Sequence, residues 1–369
     1  MKKIIERKKI VEIKHQPDFI LLGTFVLLIL IGILVLATAS TPYSLRMTDS
    51  PNYFLFKQLA AIFIGSILGF IVYKIPLETV KKYGSWAFFG ALALMFLVFF
   101  PVFGNEVNGA TRWIKIGGLS ILQPAELLKI TAIIYLANLV SKLNKKKSFW
   151  PFAGIVGTIA LSLLLQKDLS TLIILCSAAG VIYFCGNASL KNIFLLFAAG
   201  VIAVGAFIMI EPYRVQRIQN LFNSSRDLLG AGYHPQQALI SIGSGQMFGS
   251  GLGLSVQKFG FLPESITDSI FAIFAEETGF IGCILLLGLF MFFAFRVFSL
   301  GKKVNDAPCK LISYGIGFWI IAQTLVNMAS MTGMIPVSGV PMPFISYGGS
   351  HIISEFIAVG VLLNISKKA

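Results

Sequence analysis

Charged side chains are scarce in this sequence. They make up 12% of its 369 residues, where a soluble domain carries about a quarter. Hydrophobic residues reach 56%, and the mean hydropathy is +0.83. One or two soluble cores cannot hide that much apolar surface. Cysteine is rarer still. Cys176, Cys185, Cys283 and Cys309 lie in or beside apolar runs without C-x-x-C spacing, which excludes a disulfide framework or a cysteine zinc site. His234 and His351 stand isolated, with no His-x-x-His or carboxylate spacing, so neither reads as a metal ligand. There is no G-x-S-x-G nucleophile turn, and the glycines between Gly230 and Gly260 match no nucleotide-binding fingerprint. No internal repeat is found, which weighs against an inverted-repeat transporter.

Long apolar runs, by contrast, are abundant. Ten of them, near residues 19–39, 54–73, 85–103, 124–140, 151–166, 169–186, 192–210, 268–295, 311–335 and 351–366, qualify as spans. The first follows a basic stretch, and Ala37-Thr38-Ala39 imitates a signal-peptidase site. Its run of 21 residues is too long for a signal peptide, so it is expected to remain as the first span. The expected fold is all-α: a single polytopic membrane domain over residues 1–369, with ten transmembrane helices and a basic cytoplasmic N-terminus at 1–18. The 30 Lys and Arg outnumber 16 Asp and Glu, for a net charge of +14. With the N-terminus inside, 20 of the 30 basic residues fall in cytoplasmic segments. That asymmetry places both termini in the cytoplasm and explains the positive charge without a nucleic-acid partner.

Two outer segments stand apart from the short connections, Asn108 to Gln123 and 211–267 between spans 7 and 8. The second is 57 residues long, a length that usually signals function. Ionisable groups in or near the spans are costly and default to functional candidates. Glu126, Lys129, Asp168, Asp268, Glu276, Glu277 and Glu355 all fall towards the outer half, so any chemistry is expected there. Glu126 and Lys129 are three apart on one helical face, either as a structural ion pair or in a substrate role. Arg112 and Lys115 flank Trp113, a pattern that suits headgroup anchoring or phosphate binding. Ser265-x-x-Asp268 looks like a capping box, with the acid in the first helical turn; the competing reading is a general base facing outward. Glu276 lies about 12 Å deeper at 1.5 Å per residue and reads as structural, paired or protonated.

The stretches NGATRWIKIGGLSILQPAELLK, LPESITDSIFA and PVSGVPMPFISYGGS, in this order among ten spans, resemble the SEDS family (shape, elongation, division and sporulation). The likeness covers nearly the whole chain. QKFGFLPE and GVPMPFISYGGS lean towards its division branch. The resemblance implies a peptidoglycan glycosyltransferase that polymerises lipid II at the outer face of the bacterial cytoplasmic membrane, at the division septum. It implies a single-span class B penicillin-binding transpeptidase and other divisome membrane proteins as partners. Asp268 matches the family's catalytic aspartate, Glu126 and Lys129 its functional acid–base pair, and Arg112 the basic position of the first motif. Three departures touch specificity: Ile266 where relatives often have His, Gln246-Met247 for a Gly-hydrophobe pair, and His351 where Ser is common.

The chemistry is consistent with one carboxylate. A pyrophosphate leaves as an anion without a protonating acid, so cations that stabilise developing charge suffice. Asp268 is then the expected base, with Arg112, Lys129, Lys258 and Arg214 as candidate pyrophosphate holders. No ligand cluster demands a metal, although Asp268 could ligate a divalent cation, Mg or Mn. Alternatives are an elongation-type polymerase, a lipid II flippase using the same basic residues as a grip, and a scaffold without chemistry.

Overall fold

The computed structural model describes residues 16–100, 103–107, 110–116, 119–143, 149–186, 188–210, 215 and 232–369. A helix occupies each of the ten apolar runs. They are α1 (Phe19–Thr48), α2 (Tyr53–Lys74), α3 (Leu77–Leu97), α4 (Pro124–Lys142), α5 (Phe149–Leu165), α6 (Leu169–Cys185), α7 (Leu190–Ile210), α9 (Ile270–Lys303), α10 (Ala307–Met331) and α11 (Gly349–Ser366). A shorter helix, α8 (Tyr233–Ser244), lies in the long segment between α7 and α9. Seven of the described helices, α1, α2, α4, α7, α9, α10 and α11, are long and apolar enough to cross a membrane. The chain is therefore a multi-pass membrane protein. Helices α5 and α6 are apolar but only 17 residues long.

Local chemistry sets several helix starts. Asp18 accepts from the Ile20 and Leu21 amides at 3.1 and 3.0 Å, and so caps α1. Asp168 caps α6 by accepting from the Thr171 amide at 3.2 Å. Pro124 occupies the first turn of α4, where its missing N–H costs nothing. Ion pairs then tie the opposite end of the bundle together: Asp18 to Arg296 at 2.6 Å and Lys81 to Asp306 at 2.9 Å. All four residues belong to segments expected in the cytoplasm.

Helices α2 and α11 touch backbone to backbone. A methyl on Gly360 would sit 2.4 Å from the Gly69 carbonyl oxygen, so only glycine permits this approach. Helix α11 is buried almost all round, as is the inner face of α10, whereas α7 turns an apolar surface outward. In a bilayer that surface meets lipid.

Two features depart from a purely helical body with a plain outer loop. Residues Gly104–Val107 (β1), Ala110–Ile116 (β2) and Leu119–Leu122 (β3) form an antiparallel sheet in the order β1-β2-β3. The long loop, moreover, descends in part beside α9. Gly279 breaks that helix at φ 69°, ψ −168°, a conformation that residues with a Cβ avoid. The loop supplies replacement partners there: Ser250 N–H donates to the Glu276 carbonyl at 2.9 Å and Phe280 N–H to the Gln246 carbonyl at 2.9 Å. The remainder of the loop, including Arg214, lies outside the described residues.

Candidate active site

Asp268 stands just outside α9. The helix begins at Ile270, Ser269 occupies the position before it, and no side chain caps it. The expected Ser265-x-x-Asp268 capping box is therefore absent. Residues 264–269 instead turn on the Glu264 carbonyl, which accepts from the Thr267 and Ser269 amides at 3.1 Å each. The Ser269 hydroxyl is taken by the Pro263 carbonyl at 2.9 Å and the His234 ring at 2.6 Å. Its geometry leaves the Asp268 carboxylate unspent on the helix.

The backbone around Asp268 is held by α10 and by the connection from α10 to α11. Asn327 Nδ2 donates to the carbonyls of both Asp268 and Val340 at 2.7 Å each. Ser346 Oγ donates to the Thr267 carbonyl at 2.6 Å, and the Tyr347 amide to the Ile266 carbonyl at 2.9 Å. Gly339, at φ 65°, lies so near that a methyl there would be 3.5 Å from Asp268 Oδ2. Strand β2 carries Arg112, whose guanidinium donates to the carbonyls of Gln166 and Lys167 at 3.3 and 2.6 Å. A guanidinium has five N–H groups, so donors remain.

Burial pushes the Asp268 carboxyl up to about 7; Glu264 adds to the rise and the positive charge of Arg112 opposes it. A carboxyl with that value is near the optimum for a base working at neutral pH. Among the described residues, no group of three or more His, Cys, Asp or Glu is placed to hold a metal ion.

Residues 19–369 match the family model for the FtsW, RodA and SpoVE cell cycle proteins. The chain belongs to this family. Among similar relatives is the "Probable peptidoglycan glycosyltransferase FtsW" of Wigglesworthia glossinidia brevipalpis, 35% identical over 97% of this chain and 95% of its own. The protein of the same name from Escherichia coli O6:H1 is 36% identical over 91% of this chain and 82% of its own. Solved structures share the fold at 23% identity. A chain from a peptidoglycan synthase complex, described for its coordination of polymerization and crosslinking, superposes with a TM-score of 0.77 over 95% of this chain and 97% of that one. The rod shape determining protein RodA of Thermus thermophilus gives 0.70 over 95% and 96%.

The remaining residues singled out in this FtsW/RodA/SpoVE chain separate into two buried groups. Glu126 and Lys129 pair at 2.9 Å. Lys129 also donates to Gln323 Oε1 at 3.1 Å and lies 4.9 Å from the centre of the Trp319 ring. Its ammonium is 3% exposed and is spent inside the bundle rather than presented at an open mouth. His351, expected to be isolated, is not: its ring nitrogens lie 3.0 Å from Glu126 and 2.9 Å from Glu355. The spacing from His351 to Glu355, one helical turn, was the signal for half of that contact; the Glu126 half comes from another helix. In the second group Lys258 pairs with Glu277 at 3.2 Å and donates to the Gly253 carbonyl at 2.6 Å. None of these contacts joins it to Asp268. Glu276 accepts from Ser241, Ser255 and the Val256 amide at 2.8, 2.7 and 2.8 Å, a paired structural acid, as its depth suggested. Asn327 and Gly339 carried no sequence signal, because their importance lies in what folds against them.

Proposed function

We propose that this chain is a division-type peptidoglycan glycosyltransferase that extends glycan strands from lipid II. It works at the outer face of the cytoplasmic membrane, with ten spans, both termini in the cytoplasm, and a class B penicillin-binding transpeptidase as its septal partner. The observation that carries this reading is a single carboxyl, Asp268, left outside the start of α9 on a backbone held by Asn327 and Ser346 and felt electrostatically by Arg112. The 35% identity to a named glycosyltransferase over 97% of the chain supports it.

In this reading Asp268 takes the proton of the acceptor sugar hydroxyl as its oxygen attacks the anomeric carbon of the donor. The bond from that carbon to the lipid pyrophosphate breaks, and the pyrophosphate leaves with the electron pair. Free donors of Arg112 meet the developing negative charge. Arg214 remains a candidate for the same task. Lys129 and Lys258 do not join them, because both ammonium groups are already committed to buried carboxylates.

The experiment is polymerisation of lipid II in detergent by the purified protein, alone and with its transpeptidase, across pH values and with Mg or Mn added or chelated. Detergent abolishes the two sides of the membrane, so movement across it cannot contribute. Long glycan strands from the parent, and none from Asp268→Asn, are expected. No polymer under any condition, together with transport of labelled lipid II across sealed vesicles, would replace the polymerase with a flippase.

A further inference from the structure

The ring of His351 is 3% exposed and lies between carboxylates of two helices. Nδ1 is 3.0 Å from Glu126 Oε2 on α4 with hydrogen-bond geometry. Nε2 is 2.9 Å from Glu355 Oε1, one turn along α11, as an ion contact off the hydrogen-bonding axis. A neutral imidazole donates at one nitrogen only. A ring with a carboxylate within 3.0 Å of each nitrogen therefore turns an N–H towards both only as the imidazolium. In that form Glu126, Lys129, His351 and Glu355 make a buried group of zero net charge, whereas a neutral ring leaves one carboxylate uncompensated.

The group reaches beyond itself through Glu355. Its second oxygen, Oε2, accepts from the Phe344 amide at 2.9 Å. Phe344 has φ 64°, a left-handed conformation that a residue with a Cβ avoids, so it must be held from outside. Two and three residues further on, Ser346 and Tyr347 bond the carbonyls of Thr267 and Ile266, immediately before Asp268. A continuous set of contacts thus runs from Lys129 and Glu126, through His351 and Glu355, to the backbone that carries Asp268.

We propose that His351 is a positioning residue for the polymerase reaction. By bridging Glu126 to Glu355 it fixes residues 344–347, and through them the turn that presents Asp268. This rests on the reading of Asp268 as the base.

Removing the ring alone strands a buried Glu355 charge, so the decisive variant is the double substitution His351→Ser with Glu355→Gln. The glutamine carbonyl still accepts from Phe344, and no orphan charge is left. Two measurements are made on the full-length protein in detergent. The first is lipid II polymerisation, where kcat is expected to fall at least about tenfold with KM within about twofold. The second is hydrogen exchange, which needs no substrate: amides of residues 342–347 and 266–268 are expected to exchange about tenfold faster, with α3 unchanged. Parental kcat and parental exchange in the double variant would overturn the proposal. So would faster exchange throughout the molecule, which marks general loosening. A parent that makes no polymer defeats the polymerase reading instead, and the exchange data then still decide whether His351 fixes the turn.

Discussion

The Asn327 side chain donates to the main-chain carbonyl of Asp268 at 2.7 Å and, with the same nitrogen, to that of Val340. One amide thus ties the candidate base to the loop above it. Asn327→Ala is expected to lower kcat about tenfold, because a displaced base loses orientation, while KM for lipid II changes little. Unchanged kcat would show that Asp268 is held without this bond.

The pH dependence follows from the raised Asp268 carboxyl. A base must be ionised, so kcat/KM should rise with pH and level off above about 7. Arg112 favours the ionised form. Arg112→Gln is therefore expected to move this limb to higher pH as well as to slow the reaction. A limb that stays in place would disconnect Arg112 from Asp268.

The same carboxyl makes a stability prediction of opposite sense to a salt bridge. In the unfolded chain it titrates near 4, while in the folded protein it titrates at about 7. Between these values the folded state binds more protons, so this group's contribution to stability falls as pH rises from about 4 to about 7 and stays low above. Asp268→Asn should melt higher than the parent at pH 8, by about 2 °C, and alongside it at pH 4. Coincident melting curves at both pH values would mean the carboxyl is not desolvated.

Exchanging the two members of the Glu126–Lys129 pair should not restore a stable protein. Position 126 must be an anion to meet His351, and position 129 a donor to meet Gln323 Oε1. The swap places an ammonium against the histidine and a carboxylate against an acceptor, a loss on the order of 3–5 kcal/mol. A swapped protein with the parental melting temperature would make the pair a simple exchangeable ion bridge.

Orientation is open to a labelling test. In a background without the four native cysteines, Ser225→Cys is expected to react with an impermeant maleimide in intact cells, and Ser141→Cys is not. The reverse pattern would invert the topology argued from the basic residues.

The sequence by itself determined the membrane class and the positions of ten apolar helices. It did so because hydropathy over some 20 residues, a capping Asp18, and a Pro124 in a first turn act through neighbours close along the chain. The capping box read into Ser265 and Asp268 failed for the converse reason: local propensity was overridden when Pro263 and His234 claimed Ser269 and the loop after α10 claimed the turn. Gly279 can break its helix because a loop some 30 residues earlier supplies the hydrogen bonds that allow the break. His351 looked isolated because Glu126 stands 225 residues away. Burial, the raised carboxyl of Asp268 and the bridge at His351 are properties of groups brought together in space, and only the tertiary structure decided them.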